Sequence, residues 1–353
     1  MYPRHRPAVT ILSVLILATI TSLLFAGPLT PPTGPIAPTP GPEPRTAINS
    51  TNTPGDADSV FRISATGSYF LPANVLAGTG KSAIEIAASN VTIDLNGFTI
   101  TSLSTLPSIR LSLTGRTNIS IRNGNIGAIG GGGIDIAPNL VGATTEGGCV
   151  ENVHVSGTSG VGIRVGNAVI VRNCTSSNNS DTGIKTGAGC TVTGCIATDN
   201  DQAGIDAGAR NVVRDCVARS NAQAGIVASS GSTVQSCIAS ENQLHGIAMG
   251  SFSFVLSNTC VGNGASGTGA GIFTNSSASR IEGNTCSAAP TGVRVAGSDN
   301  FIAGNICSTN SLNWDIDSGN VCFVVQAAQS AGVLGNSGGV SPGSTNPNAN
   351  YTY

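Results

Sequence analysis

Charge is scarce in this sequence. Of 353 residues only 10% are charged, 16 basic against 18 acidic, for a net charge of −2. No basic run follows the first few residues, so the chain has no electrostatic footprint for nucleic acid. Aromatic residues make up 4%, and none lies between Phe98 and Phe252. That removes the flat faces on which glycan grooves usually seat sugars, leaving Phe252, Phe254, Phe273 and Phe301 as the available platforms. Leu, Glu and Lys are too thinly spread for long helices. Of the three histidines only His245 falls within the regular part of the chain, so neither a His-based triad nor a His-rich metal centre is expected.

What is present is a hydrophobic fraction of 40%, enough for a core, together with 47 glycines and abundant Asn, Ser and Thr. The chain opens with Arg4, His5 and Arg6, an apolar stretch from Ala8 to Phe25, and Ala26-Gly27. This order is that of a secretory signal, and the run approaches the length of a membrane anchor. Residues 1–26 are therefore read as a signal or anchor, and the remainder as secreted, periplasmic or at the cell surface. Membrane contact is expected only through that segment if it stays uncleaved. Residues 27–58, proline-rich from Pro28 to Pro44, read as an extended segment. Residues 59–325 read as one repeat domain and 326–353 as a C-terminal cap or tail.

The repeat is visible in three independent columns. Gly-Ile pairs stand at Gly162-Ile163, Gly183-Ile184, Gly204-Ile205, Gly225-Ile226 and Gly246-Ile247, each 21 residues after the last. Cys174, Cys195, Cys216 and Cys237 keep the same interval, as do Asn179, Asn200, Asn221, Asn242 and Asn263. Twenty-one residues equal three heptads, but several glycines per unit and few charged helix formers exclude a coiled coil. Leucine-rich repeats are excluded because Leu244 is the only Leu between Val150 and Gly250. Short Val- and Ile-rich strands broken by Gly, Asn, Ser and Asp turns remain, which is a β-solenoid. One coil cannot bury its own apolar face, so stacking supplies the core. The ends then need caps, expected at Ser59–Leu71 and Val321–Tyr353.

The units Ile281-Glu-Gly-Asn284-Thr-Cys286 and Ile302-Ala-Gly-Asn305-Ile-Cys307 resemble the repeat of right-handed parallel β-helix proteins. That superfamily includes pectate lyases, polygalacturonases, alginate epimerases and the periplasmic repeats of copper-maturation proteins. The resemblance implies an all-β, single-stranded right-handed parallel β-helix of about 21-residue coils with end caps. A finer likeness is to secreted repeat proteins without assigned function in planctomycete-like bacteria. It rests on Asn52 to Asp58, Gly67 to Phe70, Ile84 to Ile100 and Asn350 to Tyr353. Fold alone does not carry function.

In the family unit the fourth residue from the strand Val or Ile is usually Asn, bonding along the stack; Asn258, Asn284 and Asn305 fit it, and Cys174 to Cys237 occupy the same slot. Stacked Cβ atoms at roughly 4.8 Å lie further apart than the ~3.8 Å of a relaxed disulfide. The thiols are thus expected reduced and packed inward as small hydrophobes. A single file without His offers no convergent cage for a metal.

The residue after each Gly-Ile points outward, because strand neighbours alternate sides. Coil by coil this column reads Asp135, Arg164, Lys185, Asp206, then Val227, Ala248, Phe273 and Arg294. One reading is an acidic-sugar site. Arg164 would bind a uronate carboxylate and Lys185, or Arg164 itself, would abstract a proton, the charged form of the lysine being disfavoured by the arginine. Asp135 or Asp206 would hold Ca²⁺ or orient the base; outside a lyase no cofactor is expected. The other reading is an ion-pair ladder on a solvated face. Such a site would adjoin Ile136–Gly148 or Gly262–Ala270, the longest irregular stretches. An ice-binding face is not expected, since no Thr column runs through the coils. Three functions follow: a structural or surface-associated rod without catalysis, a lyase, epimerase or hydrolase of acidic polysaccharide, and a non-catalytic glycan-binding module. Partners are accordingly polysaccharide or cell-envelope components.

Overall fold

A computed structural model of the chain describes residues 45–112, 115–137, 146–326 and 348–352. The expected signal or anchor, most of the proline-rich segment and most of the C-terminal tail lie outside these residues. No helix occurs among them; all regular structure is strand.

Each regular coil is three short strands and three corners. One coil runs Ile184–Thr186, Thr191–Thr193 and Ile196–Thr198. Every strand pairs in parallel with its counterpart one coil later, so the first strands form one sheet of twelve described members and the other two feed a larger sheet. The register places Ile163, Ile184, Ile205, Ile226, Ile247 and Ile272 directly over one another. Val171, Val192, Val213, Val234 and Val255 form the facing column. These side chains are fully buried, and each contributes roughly 1.5–3 kcal/mol relative to exposure. The all-β parallel solenoid with 21-residue coils is thus the architecture that the repeat requires.

Why the corners take their residues follows from space and torsion. A Cβ on Gly204 would lie 2.6 Å from Asn221 Nδ2 and 2.7 Å from the Gly225 carbonyl, so the position before Ile admits only glycine. The bend between second and third strands is a single left-handed residue: Asn173, Asp215, Ser236 and Ser257 have φ of 53–55°. These are types that tolerate that region or bond locally within it.

Three buried polar ladders close the corners. In one, Asn179, Asn200, Asn221, Asn242 and Asn263 are linked by Nδ2 donating to the next Oδ1 at 2.8–2.9 Å. Each Oδ1 also accepts the preceding rung's backbone N–H at 3.1–3.2 Å. In the second, Cys237 N–H donates to Asn258 Oδ1 at 2.9 Å, and Asn258, Asn284, Asn305 and Asn350 continue the line. This puts Cys174, Cys195, Cys216 and Cys237 in the Asn slot, as their spacing implies. The third ladder, Cys190, Asn211, Ser232, Ser253, Ser279, Asn300 and Asn320, follows the same rule at the remaining corner.

At one end, Ser59–Ile63 and Gly67–Phe70 are already rungs of the stack, pairing with Ser82–Ile86 and Val91–Asp94. Thr46–Ala47 lies outside Gly67–Phe70, on Tyr69 and Phe70. The pairing therefore begins before Ser59, in a segment too short to show alternation in sequence. At the other end Asn350–Thr352 pairs with Ile306–Cys307 and Val324–Gln326.

Candidate functional site

The outward column of the twelve-stranded sheet is a charge ladder longer than the sequence suggests. Its rungs run Arg62, Glu85, Arg110, Asp135, Arg164, Lys185, Asp206, Val227, Ala248, Phe273, Arg294 and Asp315. The four predicted residues are consecutive in it. Arg62, Glu85 and Arg110 escape a 21-residue search because the early coils have other lengths. The triplets Ile84-Glu-Ile86 and Ile109-Arg-Leu111 carry the same pattern as Ile134-Asp-Ile136 and are the signal that reveals them.

Signs alternate along most of the ladder, and neighbours pair. Arg62 Nη1 is 2.6 Å from Asp56 and 3.2 Å from Glu85, and Arg110 bonds Glu85 and Asp58. Arg164 Nη1 is 3.5 Å from Asp135 Oδ2, Lys185 Nζ donates to Asp206 Oδ2 at 2.6 Å, and Arg294 is 3.2 Å from Asp315. Burial pushes the Asp135 carboxyl above its ordinary value, with Arg164 and the Ala137 N–H pulling it back. Glu85 is raised by burial too, against Arg110.

Alternation fails at one step, where Arg164 and Lys185 are neighbours of like sign. There a depression of about 190 Å³ opens, lined by both residues and by Ala137, Asn167 and Thr186, beside the irregular Ile136–Gly148 stretch. Residues 138–145 of that stretch lie outside the described residues. Asp135 and Asp206 stand three rungs apart, roughly 14 Å at the strand spacing, so they do not converge on one ion. Lys185 Nζ is bonded to Asp206 Oδ2 on the rung beyond, away from Arg164.

Other candidates resolve locally. Asp181 Oδ1 accepts the Thr182 N–H at 2.6 Å and Asp199 Oδ2 accepts Thr198 Oγ1 at 2.8 Å, as turn residues do. His245 is buried, stacks on Phe273 at 4.4 Å, and its Nδ1 accepts the Ala270 N–H at 3.1 Å. Burial, then Arg294, lowers its pKa to about 4, so it is neutral at pH 7. Arg294 Cζ sits 5.8 Å from the Phe273 ring centroid, so that platform is already engaged on the ladder. The ligand atoms of Asp56, Asp58 and Glu85 lie within 4.8 Å of one another, with Arg62 and Arg110 already paired to them.

Among solved structures the chain is similar to the A-modules of two mannuronan C-5 epimerases of Azotobacter vinelandii. AlgE4 shares 16% identity, covering 72% of this chain and 91% of that one, with a TM-score of 0.51. AlgE6 shares 14% identity over 72% and 90%, with a TM-score of 0.52. These likenesses are of fold. No curated protein matches the sequence, and nothing in these comparisons supports the finer likeness to planctomycete repeat proteins. The pattern of the family described as "Right handed beta helix region" matches residues 82–264. Those residues include the Arg164–Lys185 step, the Asn179-to-Asn263 line and the first thiol column, and the chain belongs to the right-handed β-helix family.

Proposed function

We propose that the protein is an exported, surface-associated β-helical rod that holds an acidic polysaccharide on its charged face without transforming it. The observation that carries this reading is the step at which two basic rungs, Arg164 and Lys185, meet beside a depression about 190 Å³ in volume. Their side chains are 34% and 45% exposed, reachable by a carboxylate from solvent. Successive rungs at about 4.8 Å match the spacing on which a polymer bearing regular carboxylates makes several contacts at once. The family's fold is shared with mannuronan epimerase modules, so a polyuronate is the polymer to test first. Against turnover stand the Lys185–Asp206 pair and a lining that, among the described residues, holds no His, Tyr or carboxylate to serve as the second proton carrier.

The test is binding of polymannuronate and polygalacturonate to the full chain by calorimetry, with ultraviolet absorbance of unsaturated product and NMR of uronate configuration read in parallel. Binding that weakens tenfold or more in Arg164→Ala/Lys185→Ala, falls with salt and leaves the polymer unaltered supports the reading. Turnover abolished by Lys185→Ala replaces it with the enzymatic one. Absence of binding to any acidic polymer removes it.

A further inference from the structure

Seven of the ten cysteines form two uninterrupted columns in the core, independent of the charged face. Cys174, Cys195, Cys216 and Cys237 follow one another at the amide corner, where each carbonyl accepts the backbone N–H of the strand one coil on, from Ile196, Val217, Ile238 and Thr259 at 2.8–2.9 Å. Cys260, Cys286 and Cys307 are register partners in adjacent parallel strands. All seven are buried free thiols.

The stacking distance discriminates between what such thiols can form. Neighbouring strands lie about 4.8 Å apart. A disulfide needs Cβ atoms at ~3.8 Å and sulfurs at ~2.05 Å, so closing one draws two coils together against the packed Ile and Val columns. A metal–thiolate bond is about 2.3 Å, so a linear sulfur–metal–sulfur unit spans roughly 4.6 Å, close to the strand repeat. Thiolates select soft monovalent ions such as Cu(I), and those ions accept two collinear ligands. Backbone carbonyls line the file: the Cys195 sulfur is 3.4 Å from the Thr193 oxygen and 3.6 Å from that of Val171. The second column packs directly against glycine, since a Cβ on Gly271 or Gly292 would lie 3.0 Å and 2.9 Å from the sulfurs of Cys286 and Cys307.

We propose that the two thiol columns are binding sites for soft monovalent metal ions of the Cu(I) class, one ion between each pair of successive coils. Four sulfurs enclose three gaps. Three ions enter, three thiol protons leave to solvent, and the last proton stays on a terminal sulfur, so the loaded column is neutral like the empty one. In the three-sulfur column two ions replace two protons. No electron is transferred. Neutrality in both states is what a buried site requires, and entry takes local opening of a coil.

The solenoid itself supplies isosteric controls. Asn occupies the first column's slot at 258, 284 and 305, and Ala197, Ala218 and Ala239 occupy the second column's slot. The experiment titrates the reduced full chain, without oxygen, with Cu(I) as its acetonitrile complex against a bicinchoninate competitor, then measures retained metal and released protons. The expected result is five ions and five protons per chain, two ions for Cys195→Asn/Cys216→Asn, and three for Cys286→Ala, with circular dichroism unchanged. Metal retained equally by all three proteins, which places it on the part-exposed Cys149 or Cys322, overturns the proposal. So does a folded parent that retains none, or one whose denatured form shows the column cysteines as disulfides.

Discussion

The corner slot that follows the left-handed bend holds thiols over one part of the solenoid and amides over the next. In the amide part every rung is bonded three ways: Asn284 Nδ2 donates to Asn305 Oδ1 and to the Val255 carbonyl, both at 2.9 Å, while its Oδ1 accepts the Asn258 N–H at 2.8 Å. In the thiol part the same jobs fall to sulfur at longer range; the Cys216 sulfur is 3.1 Å from the Arg214 oxygen and 3.7 Å from that of Val192. The slot asks for a short side chain with an acceptor facing one coil and a donor facing the other. Both residues fit it sterically, but the amide satisfies it with stronger bonds. The thiol part is therefore not the more stable solution.

The comparison breaks most severely where an amide is deleted. Asn284→Ala leaves the Asn258 N–H unpaired in the core and breaks the side-chain line between Asn258 and Asn305; it is expected to cost about 3 kcal/mol, read from the denaturation midpoint. Next comes pH, through a buried histidine. Burial, then Arg294, holds His245 at about 4, well below the ordinary 6.5 of an imidazole. The unfolded chain takes up that proton first, so its contribution is complete above about 6.5 and lost as pH falls toward 4, by up to ~3 kcal/mol. Thermal melts across that window should flatten in His245→Gln; an unchanged acid limb would remove His245 as its source. Converting a thiol rung sharpens the contrast: Cys237→Asn, which abuts Asn258, is expected to stabilise by about 1 kcal/mol, and Cys237→Ala to destabilise by a similar amount. The smallest effect is on the outer ladder, where Lys185→Ala should change stability by less than ~1 kcal/mol whatever it does to polymer binding.

Period, strand columns, the inward thiols and the outward charged rungs are all legible in the sequence, because an insertion-free 21-residue spacing turns residue number directly into height along the stack. Legibility fails where that conversion fails. Arg62, Glu85 and Arg110 sit in coils of other lengths, so their membership of the ladder needs register rather than counting. The third corner was hidden differently: Cys190, Asn211, Ser232 and Ser253 keep the interval but change identity. What unites them is a shared backbone N–H that any short acceptor satisfies. Whether two charged rungs pair or stand apart depends on rotamers, so the bond from Lys185 to Asp206 is visible only in the structure. Thr46–Ala47 carries too few residues for alternation to register at all.

The Asn179-to-Asn263 line has one more consequence. Each side-chain amide points its N–H toward the following coil and its oxygen toward the preceding one, so the group dipoles add rather than cancel. The Asn258-to-Asn350 line runs in the same sense, and chains of this kind polarise one another. The cylinder is thereby electrically directional along its axis, with the positive ends of both amide files toward Asn350. Copies approaching tip to tip would not be equivalent to copies approaching tip to tail.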